Sequence, residues 1–218
     1  MKFNGVIFDL DGTLVNSLED LADSMNKVLQ NNHFPEHETA AYKYFVGSGI
    51  RNLVRKALPE STDEHTVDRC FTAMVEVYRN NCMNKTKPYA GIPELLDELV
   101  LRKIKSAVFS NKADELTKKI VPALLPDWNF ELIIGLSNEA HKKPNPLVAL
   151  QISEKLGIPP EKMIYVGDSG IDMQTANNAG MYAAGASWGF RTREELISNG
   201  AKKLLDHPSD LIKILQEE

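Results

Sequence analysis

Four short stretches of this 218-residue chain carry side chains able to do chemistry. The first is VIFDLDGTLVNS, Val6 to Ser17, in which two aspartates follow a short apolar run. Val6, Ile7 and Phe8 read as a β-strand and Gly12 ends it. Asp9 and Asp11 then sit at the strand's C-terminal lip, where open α/β sheets collect their ligands. Carboxylates so close repel each other unless a cation or a shared proton intervenes. Asp9 suits a nucleophile forming an acyl-phosphate, and Asp11 suits a general acid and base. A lone Asp-Gly usually makes only an Asx-type turn, but two aspartates after a hydrophobic strand favour the chemical reading.

The second stretch, VFSNKAD, places Ser110 at the tip of another strand, where a hydroxyl can bond a phosphate oxygen. A Ser-Asn pair equally often caps the next helix, and Lys112 equally reads as a solvated loop charge. The third, HKKPNP, holds Lys143 extended ahead of Pro144, with Pro146 suited to the first turn of a helix. A lysine fixed there could neutralise phosphate and transition-state charge, although two exposed loop lysines are the plainer reading of this segment alone. The fourth, YVGDSGIDMQTANNAG, sets Asp168 after a buried strand and Asp172 one helical turn on. Carboxylates without histidine or thiolate partners suit a hard divalent ion, magnesium above all. Capping by Asp168 and dipole pairing by Asp172 would explain either residue singly. Jointly, the four stretches supply a nucleophile, an acid/base, metal ligands, a hydroxyl and a lysine, which is what phosphoryl transfer requires.

The elements that must position these groups follow from periodicity. From about residue 88 onward, helical patterns (GIPELLDELVLRK, DELTKKIVPALL, NPLVALQISEKLG, IDMQTANNAG, PSDLIKILQEE) alternate with strand patterns (KSAVFSN, FELIIGL, KMIYVGDS, MYAAGASWG). Helices between short apolar strands imply right-handed crossovers and an α/β fold, a doubly wound parallel sheet. Between Ser17 and about Lys87 the patterns are helical without a strand. The expected organisation is a core of residues 1–16 plus 88–218, with an all-helical cap of residues 17–87 inserted after the first strand. All four chemical stretches then end strands of one parallel sheet and converge on one edge.

Composition narrows the setting. Hydrophobic residues make up 43% of the chain and charged ones 25%, with a net charge of −5. An acidic surface disfavours nucleic acid and anionic membranes. No run approaches the roughly 20 apolar residues of a membrane span, and the start lacks signal-peptide features. The five histidines show no metal-ligand spacing. Cys70 and Cys82 fall in one helical pattern, roughly 18 Å apart at about 1.5 Å per residue, too far for a disulfide. Reduced thiols and a cytoplasmic location are expected.

The set DLDGT, the serine of VFSNK, the lysine of KKPNP and GDSGID, in that order and over essentially the whole chain, resembles the four motifs of the haloacid dehalogenase superfamily. The resemblance implies a Rossmann-like core with a helical cap. It makes Asp9 the nucleophile and Asp11 the general acid/base. Ser110 and Lys143 would hold the phosphoryl group, with Gly12, Thr13 and Asn111 in the phosphate site. Asp9, the Asp11 backbone carbonyl, Asp168 and Asp172 would serve a Mg²⁺ ion. The second aspartate disfavours dehalogenation, and Gly167 before Asp168 disfavours a mutase like β-phosphoglucomutase. FVGSGIRNLVRKAL and the stretch from Ser187 to Leu215 resemble bacterial phosphoglycolate phosphatases, with Arg51 a candidate for a substrate carboxylate. Asn16 departs from the aspartate often found after DGTLV. The implied activity is hydrolysis of a small phosphorylated metabolite, 2-phosphoglycolate first. A sugar phosphate, nucleotide or pyrophosphate hydrolase, a mutase, and a noncatalytic phosphate- or metal-binding module are the alternatives. A monomer or homodimer is expected.

Overall fold

The computed structural model describes residues 2–216. The chain divides into two compact units, one built from the residues up to Val15 and from Pro88 onward, the other from Asn16–Lys87.

The first unit is organised by a six-stranded sheet whose paired strands all run parallel. At its centre is β1 (Gly5–Phe8), every residue of which is buried. Such a strand must be covered on both faces, which explains its unbroken apolar run. The chain leaves through β2 (Val15–Asn16), traverses the second unit and returns through β3 (Lys87–Pro88), which pairs with β2 as a two-stranded sheet. Next come α5 (Ile92–Leu101), β4 (Lys105–Ala113), α6 (Asp114–Leu124), β5 (Leu132–Leu136) and α7 (Leu147–Leu156). After α7 the chain crosses to the other side of β1 and lays down β6 (Met163–Gly167). It continues through α8 (Gly170–Asn178), β7 (Tyr182–Ala186), α9 (Arg193–Ser198), β8 (Lys203–Leu205) and α10 (Asp210–Gln216). The sheet order β5-β4-β1-β6-β7-β8 therefore reverses direction at β1. In doubly wound sheets this reversal opens a crevice beyond the carboxyl ends of the strands. Ile7, Phe109, Tyr165, Ile152 and Met173 lie in one apolar core between sheet and helices.

β4 runs further than its apolar pattern suggests. It is regular through Phe109, paired with Ile134, and its register then shifts before Ala113 pairs with Leu136. Ser110, Asn111 and Lys112 occupy that bulge, and all three are buried. Bulges re-aim side chains beside functional sites.

The second unit is helical: α1 (Leu18–Asn31), α2 (Thr39–Phe45), α3 (Gly49–Ala57) and α4 (Glu64–Asn81). Leu21, Met25, Val28 and Leu29 of α1 and Val67, Cys70, Met74 and Tyr78 of α4 follow helical spacing and are buried. Cys70 and Cys82 are free thiols, as their separation along one helix demands. A buried carboxylate, Asp20 of α1, accepts from the Lys85 amide (3.0 Å), the Thr86 amide (2.8 Å) and the Thr86 hydroxyl (2.6 Å). It ties the last residues before β3 to the first turn of α1.

Asp20→Ala leaves three donors without their acceptor and should lower stability by about 2–4 kcal/mol in urea unfolding. Asp20→Asn, which keeps one acceptor oxygen, should fall between it and the native chain.

Candidate active site

β1 delivers Asp9, whose amide bonds the Val166 carbonyl of β6 at 2.9 Å. One Asp9 oxygen accepts the Leu10 amide at 2.7 Å and lies 2.9 Å from Lys143 Nζ. The chain then turns through Gly12, whose φ of +87° suits glycine. A side chain there would also meet Asp168, because a Cβ on Gly12 would lie 2.2 Å from Asp168 Oδ2. The glycine of DLDGT therefore lets the first and fourth motifs approach.

Lys143 is the hub. Its side chain is 2% exposed, and its ammonium contacts Asp9 Oδ1 at 2.9 Å and Asp172 Oδ1 at 2.7 Å. It also faces the rings of Phe109 and Tyr165, 5.6 and 5.9 Å from their centroids. Asn111 fixes the lysine backbone: its Oδ1 accepts the Lys143 amide at 2.9 Å and its Nδ2 donates to the Lys143 carbonyl at 3.4 Å. The Lys143–Pro144 peptide is cis. Lys143 is thus buried rather than a loop charge.

Asp168 follows β6 and turns one oxygen to the Phe190 amide, 2.7 Å away. It does not cap α8; Ser169 does, in a capping box in which Asp172 Oδ2 accepts the Ser169 amide (3.1 Å) and hydroxyl (2.6 Å). That box leaves Asp172 Oδ1 for Lys143. Gly167 is needed because a Cβ there would lie 2.2 Å from that of Asp172.

Ser110 accepts the Lys112 amide at 3.2 Å, and the N-cap of α6 is Ala113, so neither Ser110 nor Asn111 caps that helix. The hydroxyl of Thr13 is buried and finds no hydrogen-bond partner among the described residues. Arg51 belongs to the second unit, on α3, where its guanidinium meets Asp68 at 2.5 Å and Glu64 at 3.6 Å.

Three partners escaped the sequence reading. Lys112, read there equally as a solvated charge, is buried and its ammonium lies 2.9 and 3.0 Å from the two oxygens of Asp11. Trp188 donates its indole N–H to the Thr13 carbonyl at 3.0 Å, and the Phe190 amide holds Asp168. The polar residues of SNK and the aromatic pair around Gly189 were the only sequence signals of these roles.

Electrostatics decide what the site can take up. Asp9, Asp168 and Asp172 each place a carboxylate oxygen within 4.8 Å of the others. The ammonium of Lys143 stands among these carboxylates, and with all three ionised it would leave two negative charges to be met by protons or a cation. Burial pushes the Asp9 carboxyl up to about 7; Lys143 pulls it back and Asp172 raises it again. Burial, with Asp172 and Asp9 beside it, holds Asp168 well above the usual carboxylate range. Burial works against the Lys143 ammonium, but Asp172 and Asp9 outweigh it and hold the lysine protonated. A cluster of hard carboxylate oxygens of this kind fits a divalent cation.

A model of the haloacid dehalogenase-like hydrolases matches residues 6–186, and the chain belongs to that family. A phosphoglycolate phosphatase of Aquifex aeolicus is 36% identical over 210 residues, covering 96% of this chain and 95% of that one. An N-acetylmuramic acid 6-phosphate phosphatase of Pseudomonas aeruginosa is 26% identical over 216 residues, covering 99% and 96%. A crystal structure from Lactobacillus delbrueckii subsp. bulgaricus, 30% identical, superposes over the whole of both chains with a TM-score of 0.94. Among the described residues, no helix is long and apolar enough to cross a membrane.

A cation at the three carboxylates competes with the proton on Asp9. The rise in melting temperature on adding Mg²⁺ should therefore be larger at pH 8 than at pH 5.5, growing as pH passes about 7. Thermal unfolding at both pH values with and without the ion measures it, and equal shifts would contradict the site.

Proposed function

We propose that the protein is a phosphoric monoester hydrolase, dependent on a divalent cation, that acts through an aspartyl-phosphate on Asp9. The observation that carries this reading is the Asp9–Lys143–Asp172 contact at the end of β1, with Asp11 two residues beyond. Asp9, Asp168, Asp172 and the Asp11 backbone carbonyl are the groups suited to hold the cation, and Mg²⁺ fits their hard oxygens. Bound there, the ion would offset carboxylate and phosphate charge at once.

In the first half-reaction an Asp9 oxygen forms a bond to phosphorus while the bond from phosphorus to the leaving oxygen breaks. Asp11 passes its proton to that oxygen as it departs. In the second half-reaction Asp11 takes a proton from water, whose oxygen attacks phosphorus and releases Asp9 and inorganic phosphate. The Lys143 ammonium lies beside the attacking Asp9 oxygen and neutralises charge gathering on the phosphoryl oxygens. The hydroxyls of Ser110 and Thr13 supply further donors. Asn111 acts through Lys143 by fixing its backbone.

The substrate we favour is 2-phosphoglycolate, supported by the 36% identity to the Aquifex phosphatase of that name. The second reading is a sugar phosphate, supported by the relative that carries N-acetylmuramic acid 6-phosphate in its name. A small phosphorylated metabolite is the substrate class in both.

Phosphate release should require Mg²⁺, stop on chelation and resume when the ion is restored. Asp9→Asn should lower turnover by at least about 10⁴-fold, in line with loss of a covalent nucleophile. A panel with 2-phosphoglycolate, hexose 6-phosphates and nucleotides ranks the substrates; unchanged turnover in Asp9→Asn would remove the mechanism.

A further inference from the structure

Lys112 has no part in the chemistry above, yet it is as deeply placed as Lys143. Its side chain is 2% exposed, and its ammonium faces both oxygens of Asp11, at 2.9 and 3.0 Å. The Asp11 side chain is itself only 12% exposed. The lysine backbone is anchored on both sides: its amide donates to Ser110 Oγ at 3.2 Å, and its carbonyl accepts the Thr117 hydroxyl of α6 at 3.3 Å. A single hydrogen bond leaves a carboxyl free to rotate about its Cβ–Cγ bond. A contact to both oxygens from a fixed, buried ammonium defines its plane.

We propose that Lys112 is the positioning residue that aims the Asp11 carboxyl at the leaving-group oxygen and later at the attacking water. The inference rests on the phosphatase reading and deepens it. Proton transfer requires the carboxyl oxygen within roughly 2.6–3.2 Å of its partner, and a displacement of about 1 Å can cost on the order of 10²-fold. Lys112 lies within the register shift of β4 between Phe109 and Ala113, a feature that re-aims side chains beside functional sites. Two buried lysines then divide the work: Lys143 serves the nucleophile, and Lys112 serves the acid/base.

The test exploits the leaving group. An alkyl oxygen needs a proton to depart, whereas p-nitrophenolate leaves without one. Hydrolysis of the aspartyl-phosphate needs the Asp11 base in both cases. In Lys112→Met, turnover of an alkyl phosphate should fall about 30- to 100-fold with KM within threefold of the native value. p-Nitrophenyl phosphate should show a burst of nitrophenolate, one equivalent per active site, followed by slow turnover. The burst counts intact sites, so a variant that merely folds poorly lowers its amplitude in step with the rate, and that result would overturn the role. Loss of the burst with a raised KM for both substrates would make Lys112 a direct phosphate ligand and overturn it too. Alkyl phosphate turnover within threefold of native would do the same. Lys112→Arg, which keeps the charge and two-oxygen contact, should recover at least tenfold of the alkyl phosphate rate lost in Lys112→Met; no recovery contradicts the inference. Native enzyme that releases phosphate from no monoester would overturn the phosphatase reading and this role together.

Discussion

Burying like charges at the end of a parallel sheet is the constraint on which this molecule turns. Asp9, Asp168 and Asp172 come within 4.8 Å of one another, and one ammonium, Lys143, stands among them. An isolated carboxylate is expensive to bury, and its desolvation is repaid only by close, well-aligned partners. Lys143 therefore cannot be left to a flexible loop. Asn111 grips its backbone, Phe109 and Tyr165 line its ammonium, and the capping box of α8 turns one Asp172 oxygen toward it. A net-negative buried cluster is destabilising by itself, as functional sites commonly are.

The sheet makes this concentration possible. Because the strand order reverses at β1, the neighbours of the central strand are β4 and β6. Their carboxyl ends bring Ser110 to Lys112 on one side and Asp168 on the other. Close approach then depends on missing atoms: Gly12 and Gly167 each stand where a Cβ would collide with an aspartate. From further along the chain, the loop after β7 closes the arrangement, with Trp188 holding the Thr13 carbonyl and the Phe190 amide holding Asp168. Packing of these two aromatics thus doubles as support for the first and fourth motifs.

The helical unit uses a different device. Its apolar faces follow ordinary helical spacing, while Asp20 joins the two ends of its chain through backbone amides 65 and 66 residues away. Arg51, the candidate for a substrate carboxylate, holds its guanidinium against Asp68 of α4. Exposed pairs of this kind contribute little to stability.

Much was legible in the linear chain. Alternating apolar strands and amphipathic helices specify a parallel doubly wound sheet, since buried central strands have to be apolar on both faces. Aspartates placed directly after such strands point to a site when they recur, because turns and caps explain them only one at a time. The short β8 and the bulged end of β4 were not legible: three residues carry no period, and Ser-Asn-Lys reads equally as a helix cap with a solvated charge. Nor were the pairings of the two buried lysines. Lys112 and Asp11 lie 101 residues apart, and Lys143 and Asp172 lie 29 apart. The sequence by itself determined the elements, the residue types and the order of the motifs, because these are local properties of spacing and polarity. Only the tertiary structure decided which carboxylate each lysine serves and that both are buried, because burial and charge pairing arise when distant strands share one edge.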